Sequence, residues 1–107
     1  MSNHTEVAKI ILQQLGGNRF AMFTGAKNFV AHNEKLGALS LRVPMNTTKD
    51  RVAMVKITLD YNDTYTVEFF KVRKNEATLV HKSEGIYCDM LQDCFLEHTG
   101  LFTRFGQ

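Results

Sequence analysis

No apolar run in this 107-residue chain approaches the roughly 20 residues that a membrane span needs. The N-terminus, Met1-Ser2-Asn3-His4, has no basic segment followed by an apolar one, so it does not read as a secretory signal. A cytoplasmic protein is expected. Cysteine is scarce, and Cys88 and Cys94 are the two present. On one helix they would lie roughly 9 Å apart along the axis at ~1.5 Å per residue. A disulfide needs Cα atoms closer than ~7 Å. Their spacing also misses the C-x-x-C pattern of redox and zinc sites. They read as two free thiols, one of them buried. The net charge is +2, too small to imply nucleic acid by itself.

Catalytic patterns are missing too. There is no G-x-G-x-x-G, no G-x-S-x-G and no H-E-x-x-H. Gly25-Ala26-Lys27 looks like the end of a phosphate loop, but its first glycine is displaced and Asn28 stands where Ser or Thr should bind magnesium. His4, His32, His81 and His98 are scattered. His98 and Cys94, four apart, are the one pair a metal could share, and a structural zinc site needs four ligands. His98 suits a helix C-terminus instead. Asp60 and Asp63 bracket a turn; Asp89 and Asp93 read as a solvated helix face. No metal, cofactor or enzymatic activity is expected.

What is present is alternation. Val55, Ile57 and Leu59 alternate with Lys56, Thr58 and Asp60. Tyr65, Val67 and Phe69 alternate with Thr66 and Glu68. A period of two with one apolar face marks half-buried strands. Tyr61-Asn62-Asp63 supplies turn residues between them, so the stretch predicts a β-hairpin. Pairing Asp60 with Thr64 puts Leu59 opposite Tyr65, Ile57 opposite Val67 and Val55 opposite Phe69. On the wet side it sets Thr58 against Thr66 and Lys56 against Glu68, the latter as an ion pair. The loop then has about three residues, with a left-handed one near its end. Phe70 and Val72 fall on the polar face. Either a bulge turns them inward or a partner or terminal segment covers them. Cover is the preferred reading, and self-association through the sheet follows from it.

Around the hairpin, a helix is expected over residues 3–15. Asn3 would cap it with Glu6, Val7, Ala8, Ile11, Leu12 and Leu15 form its apolar stripe, and Gly16-Gly17 stops it. Residues 19–24 (RFAMFT) read as a central strand, with Phe20 and Met22 on one face and Arg19, Ala21 and Phe23 on the other. Residues 28–31 suggest a short strand, and Leu39, Leu41 and Val43 another, ended by Pro44. Residues 45–51 are a polar connection. Lys74-Asn75-Glu76 turns the chain into a strand over residues 77–81. A last helix over about residues 87–98 would bury Tyr87, Met90, Leu91, Cys94, Phe95 and His98, ending at Gly100. The fold class is α+β. One domain of residues 1–107 carries an N-terminal helix, an antiparallel meander of four to five strands and a C-terminal helix, with the helices on one sheet face.

Two surfaces carry functional expectations. Cations interleave with aromatics at Arg19, Phe23, Lys27, Phe29 and Arg42, with Lys71, Arg73 and Lys74 as a second cluster. Cations hold phosphates and aromatics stack bases, so an open sheet bearing them could bind nucleic acid. Arg19, Lys27, Arg42, Lys71 and Arg73 would contact phosphates, and Phe23 or Phe29 would stack. The alternative is a protein interface at Phe70, Val72, Phe102 and Phe105, an exposed apolar patch.

Three stretches together carry a resemblance: ILQQLGGNRFAMFTGAKNFV (residues 11–30), VKITLDYNDTYTVEF (55–69) and GIYCDMLQDCFLEHTGLFT (85–103). They resemble small proteins of unassigned function encoded by bacteriophages, prophages and mobile elements. There, an LGGN.F…TGAKNF segment precedes an alternating hairpin and a C-terminal TGL motif. The likeness spans most of the chain; Cys88 and Cys94 depart from it. It implies an origin rather than an activity: a small accessory protein that binds nucleic acid or a host protein, such as a defence or replication factor.

Overall fold

A computed structural model describes residues 4–103 of the chain. Helix α1 spans His4–Leu15 and buries Val7, Ala8, Ile11 and Leu15, the predicted stripe. The expected cap, Asn3, lies outside the described residues. The Gly16 and Gly17 amides both donate to the Leu12 carbonyl, at 3.2 and 2.9 Å, and end the helix.

Residues 19–24 are not a strand but most of a short helix, α2 (Asn18–Thr24). Phe20 and Thr24, one turn apart, are its buried residues. The Thr24 hydroxyl donates back to the Phe20 carbonyl at 2.7 Å. Phe20 meets Phe95 edge-on with ring centroids 4.9 Å apart, a favourable aromatic geometry. Gly25, at φ 73°, closes the helix in the left-handed conformation, which glycine accepts without a Cβ clash.

Five strands follow: β1 (Lys27–His32), β2 (Ala38–Arg42), β3 (Met54–Leu59), β4 (Tyr65–Arg73) and β5 (Glu76–Ile86). They form one antiparallel meander in sequence order. The β3–β4 register is the predicted one, with Val55 opposite Phe69, Ile57 opposite Val67 and Leu59 opposite Tyr65. The Asp60 amide donates to the Thr64 carbonyl at 2.8 Å, and Asp63 holds the left-handed position at φ 65°. Lys56 stands opposite Glu68, but its ion-pair partner is Glu34 in the β1–β2 connection. That pairing needs tertiary structure, which strand register alone does not supply.

β5 is longer than the predicted strand over residues 77–81. Its alternation is broken where Phe69 pairs with His81 and Phe70 with Leu79. Val80 is therefore the extra residue of a bulge, and it sits in β5, not in β4. β4 keeps its alternation, so Phe70 and Val72 stay on the face opposite Phe69. Both are half-buried.

After β5, a 3-10 turn over Cys88–Met90 precedes α3 (Leu91–Thr99). The helix thus starts later than the predicted residue 87. Tyr87 and Met90, expected in the core, are 60% and 44% exposed. The buried face is Leu91, Cys94, Phe95 and Thr99. α1 packs on β1 and β2, and α3 on β5 and α1. The core lies between these helices and the sheet face formed by Leu39, Leu41, Val55, Ile57, Tyr65, Val67 and Phe69. Among the described residues, no helix is long and apolar enough to cross a membrane.

Candidate nucleic-acid interface

In an antiparallel meander, strand starts and ends alternate between two sheet ends. Lys27 opens β1, Arg42 closes β2, and Lys71 and Arg73 close β4, so all four fall at one end. Lys27 and Arg42 are direct register partners. Pro44 stops β2 because it lacks an N–H for the ladder. The chain then makes two 3-10 turns, Met45–Thr47 and Lys49–Arg51. The Thr47 hydroxyl donates to the Pro44 carbonyl at 2.8 Å. The Thr48 hydroxyl donates to the Val52 carbonyl at 2.7 Å. These bonds fold the connection back and bring Arg51 to the same sheet end.

Two clefts run along this end. One is lined by Lys27, Asn28, Arg42, Pro44 and Met45, among others. The other is lined by Met45, Arg51, Lys71, Val72 and Arg73. Met45 borders both, so the cations form a continuous band. Among the described residues, none of Lys27, Arg42, Arg51, Lys71, Arg73 and Lys74 makes an ion pair within 4.0 Å. The other sheet end contrasts. There Lys35 pairs with Asp60 at 2.7 Å, Lys56 with Glu34, and Lys82 with Glu84 at 3.2 Å. Burial pushes the Asp60 carboxyl up, but hydrogen bonds from Lys35 and Thr66, with the Lys35 charge, outweigh it and hold it below the usual range.

β3 pairs with β4 only as far as Phe70. Beyond it, Lys71, Val72 and Arg73 pair with Thr78, Ala77 and Glu76 alone. Residues 71–78 are thus a two-stranded arm. Its turn, Lys74-Asn75, has φ 50° and 67°, the two positive values of a type I′ hairpin. Alternation puts Lys71 and Arg73 on one face of the arm and Val72 on the other.

Other predicted site residues do not join this band. Arg19 is exposed on the first turn of α2, in the helical layer, and Phe23 is half-buried on the same helix. Phe29 is 37% exposed on the edge strand β1, two residues from Lys27 but three strands from β4, and it does not line either cleft. The predicted protein-interface residues also divide. Phe70 and Val72 share the outer face with Met54 and Leu79. Phe102 is exposed, three residues past the end of α3. Phe105 lies outside the described residues. Arg51 was not legible as a site residue, because its segment has no periodicity and its placement depends on the threonine bonds above.

A second cluster lies between β5 and α3. His81 and His98 stack with centroids 3.8 Å apart, and Phe69 lies 5.0 Å from His98. Both Nε2 atoms meet the Ser83 hydroxyl, at 3.0 and 3.4 Å. One hydroxyl hydrogen can serve only one of them, so the other imidazole must donate to Ser83. Burial pushes the Cys94 thiol up, against a hydrogen bond with Ser83. A buried thiol with a raised pKa carries less thiolate at neutral pH. No group of three or more His, Cys, Asp or Glu among the described residues could hold a metal.

Burial holds the His98 pKa below its ordinary value, reinforced by His81 and, more weakly, by Lys49; Glu97 works the other way. The folded state therefore prefers neutral His98. Its contribution to stability is present above the unfolded pKa of about 6.5 and is lost as pH falls through the depressed folded value. Urea midpoints at about pH 7.5 and 5.5 are expected to differ, the acid one being lower. Glu34 and Asp60, also depressed, lose their contribution only near and below about pH 4, outside this window. His98→Gln should shrink the difference. An equal difference in that variant would place the titration elsewhere.

Comparison with protein-family models, with curated proteins and with solved structures finds no match.

Proposed function

We propose that the chain is a non-enzymatic, cytoplasmic accessory protein of the phage type its sequence resembles, and that it binds nucleic acid through the basic end of its sheet. One observation carries this reading. Lys27, Arg42, Arg51, Lys71 and Arg73 border two joined clefts without ion-pair partners among the described residues, whereas the lysines at the far sheet end each have one. The small net charge is thus a sum over two unlike ends. Cations without carboxylate partners can exchange condensed counterions for phosphates, which is the main source of sequence-independent affinity.

Fluorescence anisotropy with single-stranded and duplex DNA and RNA over a salt series tests it. Five phosphate contacts predict a log–log slope of about −4 to −5 on duplex DNA, a loss of several hundredfold between about 50 and 200 mM salt. Lys27→Glu with Arg42→Glu should weaken binding and flatten the slope. No binding to any of the four at low salt ends the proposal.

A second reading is favoured by the outer sheet face, where Met54, Phe70, Val72 and Leu79 cluster and Leu79 is 48% exposed. A second copy or another protein could cover it. Sedimentation at micromolar concentration of wild type and Phe70→Asp separates the cases. A dimer lost in the variant, with the fold intact, supports self-association. A clean monomer that recovers no specific partner from a host lysate speaks against this face as an interface.

A further inference from the structure

We infer that the arm of residues 71–78 enters the major groove of duplex DNA; this rests on the reading of the basic sheet end as a nucleic-acid surface. The shape supports it first. Past Phe70 the arm has no third strand, and its type I′ turn makes the tip two residues wide. Two strands lie about 4.8 Å apart, and such a ribbon with its side chains fits a B-DNA major groove about 12 Å wide. The major groove of an RNA duplex is too deep and narrow for that entry.

Charge placement supports it next. Lys71, Arg73 and Lys74 are exposed on the arm itself. Arg51 stands beside its base, and Lys27 and Arg42 lie further along the same sheet end. A ribbon in a groove needs cations within reach of the phosphates and polar groups near base edges; Lys71 and Arg73 share one face of the arm and Lys74 sits in its turn. Asn75, Glu76 and Thr78 are exposed polar residues at and behind the tip. Asn can pair with adenine and Glu can accept from cytosine, so the acid at the tip is not out of place.

The aromatic residues argue against the single-strand alternative. Binding a single strand depends on rings that stack bases beside the cations. The arm carries none. Phe70 at its base is half-buried, Phe23 belongs to α2, and Phe29 is on β1. Three strand spacings put β1 about 14 Å from β4. The arm therefore offers duplex DNA a groove contact that needs no stacking ring.

Binding of the full chain to equal-length duplex DNA, duplex RNA and single-stranded DNA tests this at one low salt concentration. Duplex DNA should bind about tenfold or more tighter than the other two. Guanine N7, a major-groove atom, should be protected from methylation by dimethyl sulfate. Arg73→Gln with Lys74→Gly keeps a turn-compatible residue at position 74 and should reduce duplex affinity about tenfold, and single-strand affinity by a smaller factor, since each phosphate contact releases less counterion there. Circular dichroism of that variant confirms the fold. Equal affinity for single strands, or N7 left reactive in the bound duplex, overturns the arm's role while the basic sheet end stands. Absence of binding to every probe overturns both.

Discussion

Phe69→Ala is expected to lower stability by about 3–5 kcal/mol, the range for emptying a buried aromatic site. Phe69 is fully buried and stands between Val55 on β3 and His81 on β5. Its ring also lies under His98, at 5.0 Å between centroids. A single truncation therefore removes packing from three neighbours in two layers. For a domain of this size the loss corresponds to roughly 12–40 °C in melting temperature, a large part of a typical total stability of about 5–15 kcal/mol. Urea denaturation measures it. The midpoint should fall with the slope unchanged. The pH difference assigned to His98 should shrink in the same variant, because water reaching the ring removes the burial that depresses its pKa. A midpoint within error of wild type would reject this placement of Phe69.

The parts that sequence made legible were those fixed by near neighbours. Alternation over Val55, Ile57, Leu59, Tyr65, Val67 and Phe69, with turn residues at Tyr61-Asn62-Asp63, was enough to set the β3–β4 register, because a slip of one residue would turn every apolar side chain outward. The α1 stripe and its glycine stop were legible for the same reason. Residues 19–24 misled because a short apolar run bounded by glycines fits a strand and a helix equally. The deciding contacts, Phe20 on Phe95 and Thr24 on the Phe20 carbonyl, include one across most of the chain. β5 was read short because its bulge and its His81 and Ser83 positions interrupt the apolar period. As for the candidate site, Lys27, Arg42, Lys71 and Arg73 were legible as cations but not as neighbours. Strand order brings them together, and strand order is a property of the whole sheet. Phe23 belongs to α2 and not to the sheet, whereas Phe29 shares β1 with Lys27 and is three strands from Lys71 and Arg73.

Gly37→Ala is expected to be nearly as damaging as losing a core phenylalanine, at a position with no apolar side chain to suggest it. Gly37 is buried and has φ 133°. A Cβ built there would stand 2.7 Å from Val7 Cβ and 2.8 Å from Val7 Cγ1, well inside contact distance. The backbone has little room to retreat. The Gly37 carbonyl accepts from the Leu59 amide at 2.8 Å, and the Gly37 amide donates to the Glu34 carbonyl at 2.8 Å. The neighbour is Val7 on α1, itself packed in the core. Either α1 lifts off β2 or the sheet edge moves. Strain at the dihedral costs about 1–3 kcal/mol and overpacking about 1–3 more, so the sum is about 2–6. Gly85→Ala is the comparison for a positive φ without a clash: φ is 68° and nothing lies within 4 Å of an added Cβ. The difference between the two variants in urea midpoint then reports the clash together with the extra strain of φ 133° over 68°. Val7→Gly removes both close atoms, so the double variant should recover part of the loss relative to Val7→Gly alone, a coupling that separate, non-touching sites do not show. If Gly37→Ala proves no worse than Gly85→Ala, or if the double variant is simply additive, α1 does not seat against this glycine as described.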